Sequence, residues 1–223
     1  MECSNMNPPT EAAREYLATR EASMAIISKL MAMKGSVHPL TAARALGISI
    51  SGKTVCFDGD WELSLLSEYS LFYHVSKGKR LFQRALEETD NLTPVERYIL
   101  ESNQKAFASV FEIKGTRPDL WEVDLRDLLG ARGTVTIIDR NFSQSLDERG
   151  MIHARLVPFD LFTSSSGAIL PLLTSDNDEA TKAKVLRHCR QAIEIPSKRT
   201  RQHALLYSCR KLHMQFGPEV RYD

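Results

Sequence analysis

The segment with the clearest chemical pattern runs from Gly47 to Thr54, Gly-Ile-Ser-Ile-Ser-Gly-Lys-Thr, and it matches the phosphate-binding pattern G-x-x-x-x-G-K-[ST]. In such a site backbone amides cradle the phosphates, Lys53 reaches the β- and γ-phosphates, and Thr54 holds magnesium. The stretch from Val135 to Asp139 could supply the apolar strand whose final aspartate faces the magnesium ion. This pattern indicates a nucleotide-binding enzyme whose site residues would be Gly47, Gly52, Lys53 and Thr54.

The elements around this segment favour a different interpretation. A phosphate-binding loop follows a buried strand and leads into a helix. Here the preceding residues, Leu40 to Leu46, have the pattern of a helix that ends at Gly47, and Thr54 to Phe57 has the composition of a strand. We therefore expect a helix end, a connector and a turn at Ser51-Gly52, and we keep the nucleotide-binding enzyme as the alternative function.

A second short pattern overlaps the first one. The stretch from Ala42 to Ser49 resembles the first helix and turn of a helix-turn-helix DNA-binding domain. In that motif a recognition helix follows the turn directly, because this helix reads the major groove. Here a glycine and a strand pattern follow instead, so we do not expect a helix-turn-helix.

The positive charge of the chain is concentrated near its C-terminal end. Between Glu179 and His213 there are nine Lys or Arg residues and two acidic residues. Such a surface can neutralise phosphates, so nucleic acid or a protein partner is a candidate contact. The simpler interpretation is a solvated face or a surface that docks on the acidic remainder of the chain. The candidate partner-binding residues are Lys184, Arg187 and Arg190 on one helix, and Lys198, Arg199 and Arg201 at the start of the next.

Two further sets of residues could carry chemistry but have simpler interpretations. Cys209 and His213 are four residues apart, and His188-Cys189 lies on the preceding helix, so the four could form a tetrahedral zinc site. The tight Cys-x-x-Cys spacing of a zinc knuckle is missing, and Cys209 falls on an apolar helix face, so we expect no metal. Ser164-Ser165-Ser166-Gly167 has hydroxyl groups but lacks a nucleophile-elbow context, so we expect a hairpin loop.

Paired carboxylates are the remaining candidates for acid–base chemistry. Asp124 with Asp127 forms one such set, and Asp58, Asp60 and Glu62 form another. Nothing in the sequence raises their pKa values or determines their separation. We expect solvent-facing strand residues in the first set and turn or cap residues in the second, and the sequence predicts no catalytic residue.

The elements that position these residues indicate an α+β fold. Residues 1–105 read as a mainly helical region with a short strand, residues 106–175 as a small antiparallel sheet or barrel, and residues 176–223 as a basic helical pair. Thr93-Pro94-Val95-Glu96 is a capping box that opens a helix. The pattern leaves the type of the segment 79–90 open.

Composition sets limits on the function. Among 223 residues, 43% are apolar and 26% are charged, which is typical of a globular protein and excludes a disordered chain, a collagen-like repeat and a disulfide scaffold. No apolar stretch is long enough to span a membrane, and the first residues lack an export signal. We expect a cytoplasmic binding or adaptor protein without a cofactor, more plausibly not an enzyme, and the oligomeric state stays open.

Overall fold

Helices and antiparallel strands alternate along the chain in the α+β arrangement that the sequence predicts. The computed structural model describes residues 8–33, 37–130, 132–145, 150–194 and 200–218. The helices are α1 (Glu11–Ala32), α2 (Pro39–Leu46), α3 (Asp60–Glu68), α4 (Leu81–Glu88), α5 (Pro94–Gln104), α6 (Arg140–Ser145), α7 (Glu179–Glu194) and α8 (Arg201–Phe216). A π-helical segment, Tyr69–Tyr73, continues α3. The strands are β1 (Ser49–Ser51), β2 (Thr54–Cys56), β3 (Val75–Ser76), β4 (Lys79–Arg80), β5 (Phe107–Arg117), β6 (Glu122–Asp127), β7 (Thr134–Ile138), β8 (Met151–Pro158), β9 (Thr163–Ser165) and β10 (Leu170–Leu173).

Local side-chain chemistry explains where several helices begin and end. The hydroxyl of Thr93 accepts a hydrogen bond from the amide of Glu96, and the Glu96 side chain accepts one from the Thr93 amide, which is the predicted capping box. Thr200 caps α8 in the same way through its hydroxyl. Gly47 ends α2 with φ of 75°, a left-handed conformation that a glycine adopts without strain.

The central sheet is antiparallel and curled, with the strand order β10-β8-β5-β6-β7. Strand β5 covers one edge of β8, while β10 and β9 pair successively along the other edge. Strands β7 and β9 lie beside each other, but no ladder joins them within the described residues. The sheet is therefore open, and the barrel alternative was wrong. Closure would need the backbone pairing that is absent between these two strands.

The sheet is buried on both faces. The concave face carries an apolar cluster that includes Phe111, Val123 and Ile152. The opposite face packs against the helices, and its cluster includes residues from all three segments of the sequence. This cluster contains Leu65 of α3, Leu170 of β10 and Leu206 of α8. The proposed division into three regions thus describes the order of elements along the chain, while the largest core is shared among them.

The structure adds details that the sequence analysis did not give. Strand β5 continues through Gly115 to Arg117, because the ladder with β6 resumes after a shift of register. The segment 79–90 contains the short strand β4 and helix α4. Helix α6 was missed, because six residues are too few to show a periodic apolar pattern. None of the helices in the described part of the chain combines the length and the apolar character needed to cross a membrane.

Candidate functional site

A cleft of about 870 Å³ lies between α1, α5, α6 and the part of the sheet where β8 meets β9. This volume is within the range of about 300–1,000 Å³ that small-molecule sites occupy. Apolar side chains from α1, α5 and the β8–β9 segment form much of its wall, among them Ile27, Leu30, Leu100, Val157, Phe159 and Phe162. Polar side chains converge at its floor, which is the arrangement expected of a ligand site.

A buried carboxyl group, that of Glu68, lies directly behind the cleft. Glu68 is the last residue of α3, and the π-helical segment begins at the next position. Ser166 lines the cleft, and its hydroxyl donates to both carboxylate oxygens of Glu68, at 2.8 Å to Oε1 and 2.9 Å to Oε2. Burial raises the pKa of Glu68 to about 7, against the opposing effects of Arg155 and the Ser166 hydrogen bond. A carboxyl group that titrates near neutral pH at a cleft is a functional-site candidate.

A buried guanidinium group, that of Arg155, also lies behind the cleft. Arg155 of β8 donates to the side-chain and backbone oxygens of Asn103, at 2.8 and 2.9 Å. Its guanidinium carbon lies 3.9 Å from the centroid of the Phe72 ring. Asn103 and Phe72 both line the cleft, so the residues that hold the guanidinium are also in reach of a ligand. Burial lowers the pKa of Arg155, which the negative charge of Glu68 opposes.

A second carboxylate, Asp139, lies where β7 ends. Its Oδ1 accepts the amide of Phe142 at 3.1 Å, and its Oδ2 accepts the hydroxyl of Ser165 at 2.9 Å. On the facing helix, Arg20 donates to the phenol oxygen of Tyr16 at 2.6 Å. Burial and then the charge of Asp139 raise the pKa of Tyr16, which Arg20 opposes. Two carboxylates and two guanidinium groups thus surround a run of serine hydroxyls.

Sequence similarity connects the whole site to one family. The chain matches the model of a family of unknown function, DUF7986, over residues 10–222. The chain belongs to this family. Searches of the curated proteins and of the solved structures gave no match. The residues that line the cleft all fall within the matched range of DUF7986.

Sequence reasoning missed the residues that build the cleft floor in this DUF7986 protein. Ser164 and Ser165 belong to β9 rather than to a loop, and together with Ser166 they line the cleft. Glu68 falls on the helix face that also carries the apolar residues Leu65 and Phe72, so a charge among core positions was the available signal. Arg155 gave the same signal in β8, where every residue from Met151 to Val157 is buried.

The residues of the phosphate-binding pattern do not form a phosphate-binding loop. Strands β1 and β2 pair as a hairpin with Ser49 opposite Cys56, and Gly52 with φ of 59° lies at its turn beside Lys53. The segment therefore leads into a strand, and its amides are not arranged at the start of a helix. The predicted helix end and turn are confirmed. The missing recognition helix also excludes a helix-turn-helix at this position.

The candidate basic residues that the structure describes lie on the surface. Lys184, Arg187 and Arg190 are exposed on α7, and Arg201 is exposed at the start of α8. Within the described residues none of these four forms an ion pair, although Lys184 lies 5.2 Å from the Phe216 ring centroid. Within the part of the chain that the structure describes, they therefore do not dock on acidic residues through salt bridges. Lys198 and Arg199 lie outside the described residues.

The four Cys and His residues considered for zinc do not assemble. The sulfur atoms of Cys189 and Cys209 are 3.9 Å apart in the core. His213 contacts the Pro171 carbonyl oxygen through Nδ1 at 2.6 Å, and His188 is exposed and bonds within its own helix. The described part of the chain contains no group of three His, Cys, Asp or Glu residues placed to hold a metal ion.

The two carboxylate sets are not paired, and two of their residues are exceptions because they are buried. The solvent-facing strand position predicted for Asp127 was wrong, whereas Glu62 accepts the amide of Asp58 at the start of α3, as predicted for a cap residue. Glu62 is fully buried and accepts from the Arg210 guanidinium, with Nε at 2.8 Å from Oε1. Asp127 is also buried and accepts the hydroxyl of Ser109. Both exceptions have a distant polar partner, which makes burial of a carboxylate tolerable. Asp124 lies in an ion pair with Arg117 at 2.6 Å.

Proposed function

We propose that this protein binds a small, largely apolar organic molecule in the cleft between α1, α5 and β9. The observation that carries the proposal is the combination of a ligand-sized cavity with apolar walls and polar lining residues, Asp139 among them, which are backed by the buried Glu68 and Arg155 through Ser166 and Asn103. This is a binding role, as the sequence led us to expect, but its surface is the cleft rather than the C-terminal helices.

The energetic cost of burying Glu68 and Arg155 behind the cleft supports a functional role. Burying a carboxylate and a guanidinium group lowers the free energy of unfolding unless both are well paired, and apolar residues of similar volume often give an equal or more stable core. Glu68 and Arg155 are both nearly inaccessible to solvent, and no salt bridge joins them within the described residues. Their hydrogen bonds instead go to Ser166 and Asn103, two residues that line the cleft.

Binding can be tested with the neutral apolar dye N-phenyl-1-naphthylamine, whose fluorescence rises in apolar sites. Ser23 of α1 lines the cleft, so Ser23→Trp should fill it and weaken dye binding at least about tenfold, a change of about 1.4 kcal/mol. Ser28→Trp is the matched control, because Ser28 is exposed on the same helix and does not line the cleft. Unsaturable binding by the wild type, or an equal loss in both variants, would refute the proposal.

A second candidate function is nucleic-acid contact through α7. The supporting observation is that Lys184, Arg187 and Arg190 are exposed, recur every third residue and have no ion-pair partner in the described residues. Such contact depends mainly on phosphate neutralisation, so affinity should fall steeply with salt concentration and depend little on base sequence.

A gel-shift experiment with duplex DNA and single-stranded RNA tests the second candidate. The double variant Arg187→Glu/Arg190→Glu should abolish the shift at low salt. The double variant Arg14→Glu/Arg97→Glu makes the same change in net charge at exposed sites on α1 and α5, and it should retain the shift. An unshifted wild type, or equal losses in the two variants, would reject a nucleic-acid role for α7.

A further inference from the structure

We propose that the cleft selects an uncharged ligand bearing a hydroxyl group, because Ser165 and Ser166 present hydrogen-bond acceptors to it. This inference rests on the proposed binding function and adds the class of ligand. It follows from where the hydroxyl protons of two serines go, and from the balance of charge around them.

Each serine has one proton to donate and two lone pairs to accept with. Ser166 directs its proton to the Glu68 carboxylate, and Ser165 directs its proton to Oδ2 of Asp139. An ionised carboxylate has no proton, so the serine must be the donor in both pairs. Both serines line the cleft, and what they have left to offer a ligand is their lone pairs. A ligand group that donates, such as an alcohol O–H, satisfies them, whereas a ketone cannot.

The charges around the cleft favour an uncharged donor. The carboxylates Glu68 and Asp139 are balanced by the guanidinium groups Arg155 and Arg20. Both guanidinium groups already donate within the protein, to Asn103 and to the Tyr16 oxygen. A charged ligand would lose its hydration on entering the cleft, and it would find no opposite charge that is not already balanced. Its binding would therefore be unfavourable in a partly buried site. A neutral alcohol meets the acceptors at a smaller cost of desolvation.

The walls of the cleft indicate an apolar body for this ligand. Phe159 and Phe162 stack with ring centroids 4.7 Å apart and planes inclined by 18°, and Phe72 lies at the floor beside Arg155. Aliphatic residues of α1 and α5 complete the wall. The ligand class is thus an alcohol whose hydroxyl group is carried on an apolar chain or ring system.

Nonan-2-ol and nonan-2-one form a matched pair of probes. They share the carbon chain and the position of the oxygen atom, but only the alcohol has an O–H group that can donate a hydrogen bond. Each is titrated against the protein loaded with N-phenyl-1-naphthylamine at pH 8, where Glu68 is ionised because its pKa is about 7. The alcohol should displace the dye at an about tenfold lower concentration than the ketone, which is the effect of one net hydrogen bond.

Serine variants test whether Ser165 and Ser166 cause the preference for the alcohol over the ketone. Ser165→Ala and Ser166→Ala should each reduce the ratio by which the alcohol outcompetes the ketone, with both probes referred to that variant's own affinity for the dye, and the double variant should abolish the preference. Ser164→Ala is the matched control, because Ser164 also lines the cleft but has no carboxylate partner among the described residues. Equal displacement by the two probes, or a preference that survives the double variant, overturns the inference while the binding function stands. If Ser23→Trp leaves dye binding unchanged, both the inference and the proposed binding function are refuted.

Discussion

At the scale of single residues, Glu68 and His153 are deeply buried and ionisable. The pH dependence that each gives to the free energy of unfolding has the opposite direction. Burial raises the pKa of Glu68 to about 7 and lowers the pKa of His153 to about 4. Glu68 has a hydrogen-bonding partner in Ser166, whereas neither ring nitrogen of His153 has one in the described residues. The first residue lies behind the cleft, and the second is buried within β8.

Replacing Glu68 by Gln should change the pH dependence of stability. Above pH 4.5 the unfolded carboxyl group ionises while the folded one keeps its proton until about pH 7, so the wild type loses up to about 3 kcal/mol across this window. Glu68→Gln retains an acceptor for Ser166 and should lack this loss. Urea denaturation at pH 5, 6, 7 and 8 measures it, and the same decline in both proteins would contradict the assignment.

Replacing His153 by Leu should stabilise the protein. The substitution removes two buried nitrogen atoms without partners, for which we expect a gain of about 1–2 kcal/mol at pH 7. The gain should be larger at pH 5, because the unfolded histidine takes up a proton below its ordinary pKa of 6.5 while the folded one does not until about pH 4. Urea denaturation at the two pH values tests this, and a less stable variant would show that the ring has a partner.

At the scale of secondary-structure elements, the β1–β2 hairpin and the central strands have different expected roles. The hairpin residues are exposed or half-buried, and its turn carries Lys53. The central strand β8 is buried along both faces and is paired along both edges. Stability and ligand binding are therefore expected to depend on the sheet and its helices rather than on the hairpin.

We expect Lys53→Ala to change the free energy of unfolding by no more than about 0.5 kcal/mol, because Lys53 is exposed at the hairpin turn. Isothermal titration of the wild type with magnesium-ATP should give no binding heat, since the segment lacks the strand-loop-helix geometry. Micromolar binding that disappears in the variant would restore the nucleotide-binding alternative.

Amide hydrogen exchange should separate the two sets of strands. We expect the amides of β5, β6 and β8 to exchange slowly and together. None of these strands is stable alone, and all three contribute to the apolar cluster on the concave face. Amides of β1 and β2 should exchange faster through local opening. Fast and independent exchange across β5, β6 and β8 would contradict a cooperative sheet.

At the scale of the whole molecule, a buried ion pair connects the N-terminal helical region with the C-terminal helix. Glu62 of α3 and Arg210 of α8 are 148 positions apart, and both are nearly inaccessible to solvent. Helix α8 also packs on α2 and β10, so the basic C-terminal end is joined to the body through its buried side. Arg187 and Arg190 on the adjacent α7 are exposed to solvent.

The variant Arg210→Met should lower the free energy of unfolding by about 3–5 kcal/mol, because it leaves the Glu62 carboxylate buried without its partner. Adding Glu62→Gln should recover most of this loss. Lys182→Met breaks an exposed ion pair on α7 and should cost less than about 1 kcal/mol, which makes it the control. Thermal denaturation of the wild type, both single variants Arg210→Met and Glu62→Gln, the double variant and the control measures the coupling. Additive losses in the double variant would show that the two side chains act independently.

The local elements of this protein were accessible from the sequence. The capping box at Thr93 and the helix end at Gly47 predicted α5 and the end of α2, and the β-rich pattern of residues 106–175 predicted an antiparallel sheet. Each of these signals depends on side chains within a few residues of one another, and backbone geometry converts such spacing directly into helix, turn or strand. The α+β class follows from the same signals.

The cleft and its chemistry were decided by tertiary structure alone. Ser166 meets Glu68 across 98 positions and Arg155 meets Asn103 across 52, distances along the chain over which residue spacing carries no geometric information. Tertiary structure also left the sheet open between β7 and β9, where Ser165 reaches Asp139 through its side chain. A hydroxyl becomes an acceptor for a ligand only when a carboxylate takes its proton. That partner is brought to it by packing of helix on sheet, which local sequence patterns do not encode.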